Sequence, residues 1–313
     1  MAEDNPEPVD GDPGDRRPSR PARLAWGAVI AILLGVVGLV TYALTHVSSP
    51  TAPVTPAVTS PAVLATLSSV PSSTFDAIGV TAPGTTLTPP SVVADPPPSG
   101  NRPEVLFVGS EFCPFCAAER WPLVVALARF GTFTRLHNSS SAAQSVFPDT
   151  STFTFADAVY SSRYVTLTGV ELYSDTTGPD GTFTRLARLT PSQAALVARY
   201  SPQGDGVTTG SSPFVDVAGR LIAVTSGLSP ALLAGQSQSQ IAGEIARPTP
   251  LVVGSGGTTP PPTGQAVIAV ANQLSAGICA ATHQRPATVC LSRGVRAADA
   301  SLGLPVPPAS AGG

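Results

Sequence analysis

Apolar positions along the chain fall into patterns that predict its elements. From Leu24 to Leu44 the stretch LAWGAVIAILLGVVGLVTYAL carries no charge. At about 1.5 Å per residue it is long enough to cross a hydrocarbon core of roughly 30 Å. Val105 to Val108 is a short apolar run behind Pro103, the pattern of a buried strand. Beyond it, Leu123, Val124, Leu127 and Phe130 recur at spacings of three and four, which predicts a helix with one buried face. Pro122 should kink that helix or remove one of its backbone bonds. Val267, Val270, Ala271, Leu274 and Ile278 repeat the helical spacing and predict an amphipathic last helix.

Shorter signals fill the middle of the chain. Strands are expected at Thr152 to Phe155 and Tyr164 to Tyr173, with Phe153, Phe155, Tyr160 and Tyr164 packing a core. Thr190-Pro191-Ser192-Gln193 has the form of a capping box that opens a helix. Phe214 to Val217, the turn Ala218-Gly219 and Leu221 to Thr225 read as a hairpin, and Ser229-Pro230 as the start of a helix running towards Ile245. The organisation that results is a polar tail at 1–23, a transmembrane signal anchor at 24–45 and a Pro/Thr/Ser-rich linker at 46–60. A folded domain at 61–303 and a loose tail at 304–313 follow.

Charge changes this picture at one end only. Arg16, Arg17, Arg20 and Arg23 precede the apolar run, and Trp26 and Tyr42 lie near its ends. These features predict a single pass with the N-terminus inside and the folded domain outside the cytoplasm. The alternative, a cleaved signal peptide, fits less well because the run exceeds the roughly 7–15 apolar residues of such signals. Charged residues make up 12 % of the chain and the net charge is −3, with no basic stripe beyond the N-terminus. No nucleic-acid partner is expected.

Four cysteines form two pairs, Cys113/Cys116 and Cys279/Cys290. Disulfides persist in an oxidising compartment, which the anchor supplies. The first pair lies between the expected strand and helix. A sulfur at a helix N-terminus faces unpaired N–H groups and the positive end of the helix dipole, which favour the thiolate that attacks disulfides. Cys113 is thus the candidate nucleophile, expected to be exposed, and Cys116 the resolving thiol. Pro114 falls where a missing N–H costs least. An inert crosslink or half a zinc site are the alternatives, but His46, His137 and His283 do not cluster with the pair. No metal and no bound cofactor are expected. Glu119 and Arg120 could tune the thiols, though a solvated helix face is the simpler expectation. Cys279 and Cys290 read as a structural disulfide, with a shuttle pair as the alternative.

The Cys-Pro-Phe-Cys motif at 113–116 resembles glutaredoxin active sites and, less closely, the Cys-Pro-His-Cys of periplasmic disulfide oxidases. The longer string FVGSEFCPFCAAERWPLVVALARFGTF resembles the prokaryotic domain of unknown function 929 family. The likeness extends over most of residues 61–300, including TFTF near Phe153 and ICAATHQRPATVC near the end. The resemblance implies an α/β, thioredoxin-like fold with an insertion at about 137–205, preceded by the transmembrane helix. It also implies that Pro213 is a cis-proline facing the dithiol, so that Pro213, Ser212 and Phe115 form a substrate groove with exposed backbone for a peptide to pair with. Phe115 stands where the periplasmic oxidases have His, which leaves the direction of exchange open. The function implied is thiol–disulfide exchange on exported proteins, with a membrane partner restoring the redox state. A non-enzymatic scaffold with inert crosslinks and a metal-handling dithiol are the rivals.

Overall fold

The computed structural model describes residues 32–41, 56–82, 86–94, 102–201, 206–248 and 263–304. The chain divides into two compact units, Met1–Thr55 and Pro56–Gly313. Of the first, only the apolar helix α1 (Ile32–Thr41) is described, with its large aliphatic side chains exposed. The remainder of the expected anchor, the polar tail at 1–23, the linker up to residue 55 and the tail from 305 lie outside the described residues.

The second unit begins with α2 (Pro61–Ser68), α3 (Ser72–Ile78), β1 (Ser91–Val92), β2 (Glu104–Gly109) and α4 (Pro114–Ala128). Next come β3 (Thr132–Ser140), β4 (Ser151–Ser161), β5 (Thr166–Glu171), β6 (Tyr173–Thr177), β7 (Phe183–Arg185) and α5 (Pro191–Tyr200). The chain continues through β8 (Phe214–Val217), β9 (Leu221–Ala223), a short 3₁₀ turn (Pro230–Leu233), α6 (Gln238–Ala246), α7 (Thr263–Ala281), α8 (Ala287–Cys290) and α9 (Arg293–Leu302).

A mixed sheet in the order β1–β9–β8–β2–β5 organises the domain. β2 runs parallel to β5 and antiparallel to β8, with Val108 opposite both Val170 and Phe214. A central strand covered on both faces must be apolar at successive positions, as Val105 to Val108 are. The two-residue period sends Val105 and Phe107 into one core with α4 and α7. It sends Leu106 and Val108 into a second core with Val197 of α5 and Phe214 of β8. The result is a mixed α/β domain with helices on both faces of the sheet.

The stretch 137–205, expected as an insertion, is divided between roles. β5 completes the main sheet, while β3–β4 and β6–β7 form separate two-stranded sheets. β4 approaches β5 so closely that a Cβ on Gly169 would run into the Cβ of Phe155, which explains a glycine inside a strand. Phe153 and Phe155 are buried, and the Phe155 ring meets Phe107 edge-on at 5.0 Å.

Two helical expectations need correction. The helix expected from Pro230 to Ile245 is two elements. Its first turn is 3₁₀, Gly235 adopts φ +71°, and Ser237 opens α6 with its own capping box to Gln240. The last long helix, α7, is not amphipathic: it is long and apolar enough to cross a membrane, but 94 % of its apolar window is buried inside the domain. It packs against α4, α6 and α9, so its small apolar residues meet protein on all sides. Buried Asn272 is satisfied there, donating to the carbonyls of Phe75 and Gly79 and accepting from Arg129.

Cys279, near the end of α7, is joined to Cys290 of α8, and both are buried. Replacing both by Ser is expected to lower stability by roughly 2–3 kcal/mol for a loop of this size. A shift of the urea midpoint at unchanged m-value would measure it.

Candidate active site

β2 ends at Gly109, a turn follows, and Cys113 becomes the N-cap of α4 with Pro114 at the first helical position. The Cys113 Sγ accepts the N–H of Cys116 at 3.0 Å, one of the orphan donors of a helix start. The Cys113 N–H donates to the Ser110 carbonyl at 3.3 Å, which closes the turn. Cys116, one turn on, has its Sγ 3.9 Å from the Gly210 carbonyl. Gly210 adopts φ +80°, and a Cβ there would collide with Ser110 Oγ. Glycine is thus required for this carbonyl to reach the second sulfur.

Cys113 is not the exposed thiol expected from sequence: it is 0 % exposed, as is Cys116. What covers it comes from far along the chain. The loop after β3 and the β6–β7 hairpin fold over the start of α4 and leave a cleft of about 260 Å³ with Cys113 in its wall. Phe112, Phe115, Ala142, Val146, Phe183 and Ser211 also line it. The Phe112 ring stacks on Phe183 at 4.3 Å, and Phe115 meets Phe147 edge-on at 6.1 Å.

Nor is the helix face beyond the dithiol solvated. Arg120 is fully buried, one turn after Cys116, and forks onto Glu171 of β5, with Nε 3.0 Å from Oε1 and Nη2 bonded to Oε2. Its Nη2 also donates at 2.9 Å to the Ser110 carbonyl that receives the Cys113 N–H. Arg120 Nη1 has no hydrogen-bond partner among the described residues. Glu171 in turn accepts the Phe155 N–H, tying the ion pair to β4. Glu119, also buried, accepts the Gly227 N–H at 2.7 Å and faces the Ser226 hydroxyl. These partners could not be read from the residues around the motif, because each lies in a distant segment.

The charges follow from this packing. Burial pushes the Cys113 thiol up, but the hydrogen bonds from Cys116, the Arg120 cation and the Phe115 N–H outweigh it and bring the thiol below its usual range. Cys116 moves the opposite way, raised far by burial and by Cys113 beside it. Two neighbouring thiols thus have distinct roles available: the first to ionise, the second to hold its proton. Burial also raises Glu111 and Asp175, with Arg120 acting against it in both, and lifts Glu119 to about 7.

Of the expected site residues, Cys113, Cys116 and Phe115 meet at the start of α4. Ser212 and Pro213 do not line the cleft. The Ser212–Pro213 bond is trans, since the described cis bond is Arg285–Pro286. The N–H groups of Gly210, Ser211 and Ser212 are taken up by the Val207 and Gly206 carbonyls, and the Ser212 hydroxyl donates to the Val224 carbonyl. No backbone donor is left there for a peptide to pair with. The residues missed by sequence reasoning are Ser110, Glu111, Glu171, Gly210, Phe183 and the loop around Val146. Glu171, an acid directly between Val170 and Leu172, was the one readable signal. Among the described residues, no group of three His, Cys, Asp or Glu side chains could hold a metal ion.

A family model described as "Domain of unknown function (DUF929)" matches residues 95–255, half of the chain. No curated protein matches it, and no solved structure does.

Proposed function

Since the chain belongs to the DUF929 family, whose description carries no activity, we propose from the site alone that it is a thiol–disulfide oxidoreductase. The observation that carries this reading is the Cys113 sulfur at the N-cap of α4, accepting the Cys116 N–H, in a residue that forms part of the wall of a cleft. The fold supports it. A strand, the dithiol, a helix, a parallel strand, a second helix, an antiparallel hairpin and closing helices follow one another in thioredoxin-like order. The β3–β4 and β6–β7 hairpins would be additions to that frame. The uncharged run 24–45 supports a membrane anchor, with exported proteins as the substrates and a membrane-bound redox partner restoring the dithiol.

In the exchange, the Cys113 thiolate attacks one sulfur of a substrate disulfide. The S–S bond breaks, the other substrate sulfur leaves as a thiolate that takes up a proton, and a mixed disulfide remains. Cys116, on losing its proton, then attacks Cys113 Sγ and releases the second substrate thiol. Two electrons pass from the dithiol to the substrate, and oxidase duty is the same sequence reversed. The raised thiol of Cys116 suits a resolving group that ionises only when attack is due.

The full burial of both cysteines favours a second reading, a scaffold in which they do no chemistry. Trapping separates the two. Cys116→Ser should accumulate a mixed disulfide with substrate, stable to non-reducing electrophoresis, and Cys113→Ser should accumulate none. Cysteines that resist iodoacetamide and dithiol–disulfide buffers in the folded full chain, yet react once it is unfolded, would establish the scaffold.

A further inference from the structure

We propose that the cleft over Cys113 recognises a cysteine carried in an uncharged, apolar stretch of extended polypeptide, a substrate class that rests on the exchange reading above. The cleft is built rather than incidental. Ala142 donates its N–H to the Phe112 carbonyl at 3.0 Å, binding the loop to the residue before the nucleophile. The hydroxyls of Ser141, Ser145 and Thr150 all donate to the Phe147 carbonyl, which fixes the turn that sets Phe147 against Phe115. Phe183 of β7 stacks on Phe112. Two aromatic side chains thus flank the nucleophile, each braced by a second ring.

Its chemistry selects the ligand. Apart from Cys113, no side chain lining the cleft among the described residues ionises, and the nearby guanidinium of Arg120 is engaged by Glu171. An anionic tripeptide disulfide such as oxidised glutathione would lose the hydration of its carboxylates with no cation to replace it, only the Gln144 amide and the Ser145 and Ser211 hydroxyls. Size points the same way. At about 260 Å³ the cleft falls below the roughly 300–1,000 Å³ of sites that enclose a small molecule. It admits the side chain next to a reacting cysteine. The rim extends this surface: Val146, 77 % exposed, is the most exposed large aliphatic residue described. Val146 lines the cleft yet stays largely exposed, so a polypeptide whose sulfur reaches Cys113 can continue over it beyond the cleft. Recognition then runs through side chains held by the two added hairpins and their loop, not through strand addition at Pro213.

The reduced full chain in detergent would be oxidised by three probes. These are oxidised glutathione, the small neutral 2-hydroxyethyl disulfide, and the disulfide dimer of an uncharged peptide with Val and Phe flanking its cysteine. The peptide is expected to react at least about tenfold faster than glutathione (about 1.4 kcal/mol). Val146→Asp, on an exposed side chain, and Phe183→Ser should each remove most of that advantage, read as the ratio of the peptide rate to the hydroxyethyl disulfide rate of the same variant. Glutathione reacting as fast as the peptide, or a peptide advantage untouched in both variants, would overturn the proposal and leave the exchange reading standing. If all three probes fail on the folded chain but oxidise it when unfolded, the exchange reading itself falls, and this proposal with it.

Discussion

Arg120→Met is expected to lower the stability of the domain by about 3–5 kcal/mol and to move the ionisation of Cys113 upward. The stability loss arises because Glu171 would be left buried without its cation, still facing Glu111, whose carboxyl burial already raises. The thiol effect arises because Arg120 is among the groups holding Cys113 below its usual range, and its Nη2 braces the carbonyl that fixes the Cys113 turn. The double variant Arg120→Met/Glu171→Gln separates the two effects. With both charges gone, stability should largely return, since a buried pair removed together is often neutral. The pH at which iodoacetamide alkylates Cys113 should remain high. Chemical denaturation and the pH profile of alkylation measure each part. An alkylation profile identical to wild type in both variants would rule out Arg120 as a determinant of thiol reactivity.

The second large effect concerns Glu119, whose carboxyl is lifted by burial to about 7 against the Gly227 N–H and Ser226 hydroxyl that favour its charged form. Below its ordinary value of 4.5 both folded and unfolded chains hold the proton. Above about 7 both have lost it, and the folded chain bears a buried charge. Between these limits the folded state binds more protons than the unfolded one, so this group's contribution falls as pH rises. The loss is on the order of 3 kcal/mol in total. Glu119→Gln keeps an oxygen for the Gly227 N–H and cannot ionise. The stability of the variant relative to wild type should therefore rise between pH 4.5 and 7.5, as followed by urea unfolding. A constant difference across that range would contradict it.

What was legible in the sequence is what short-range chemistry decides. The apolar run at 105–108, the turn to a Pro at the first helical position and the apolar spacing after it gave β2 and α4. Phe214 to Ala223 gave a hairpin because Gly219 takes positive φ without a Cβ clash, while Ala218 is held at φ +53° beside it. Thr190 and Gln193 gave the cap of α5 because both halves of a capping box are local. The same pattern at Ser237 and Gln240 was present and would have broken the helix expected from Pro230. α7 was misjudged by following one periodic stripe. Its other positions are mostly Ala, Ile, Gly and Ser, with only Thr263, Gln265, Asn272 and Gln273 more polar, and a helix with so little polar surface is an interior one.

The site was legible only in its two sulfurs. Arg120 and Glu119 look like an ordinary charged helix face, since their partners at Glu171 and Gly227 stand 51 and 108 residues away. The cover over Cys113 has the same origin. Nothing local to the Cys-Pro-Phe-Cys motif announces that Ala142, Val146 and Phe183 will close above it.

The ion pair beneath the dithiol also orders events in time. Arg120 lies on α4, but its counter-ion belongs to β5, which leaves the ribosome later. Until β5 docks beside β2, the guanidinium is unfixed and the helix start is unbraced. The hydrogen bond from the Cys116 N–H is local to α4, but the share of the thiol difference that Arg120 and burial supply arises only with the closed sheet. Folding of β5 against β2 and the final setting of the two thiols are thus tied to one packing event.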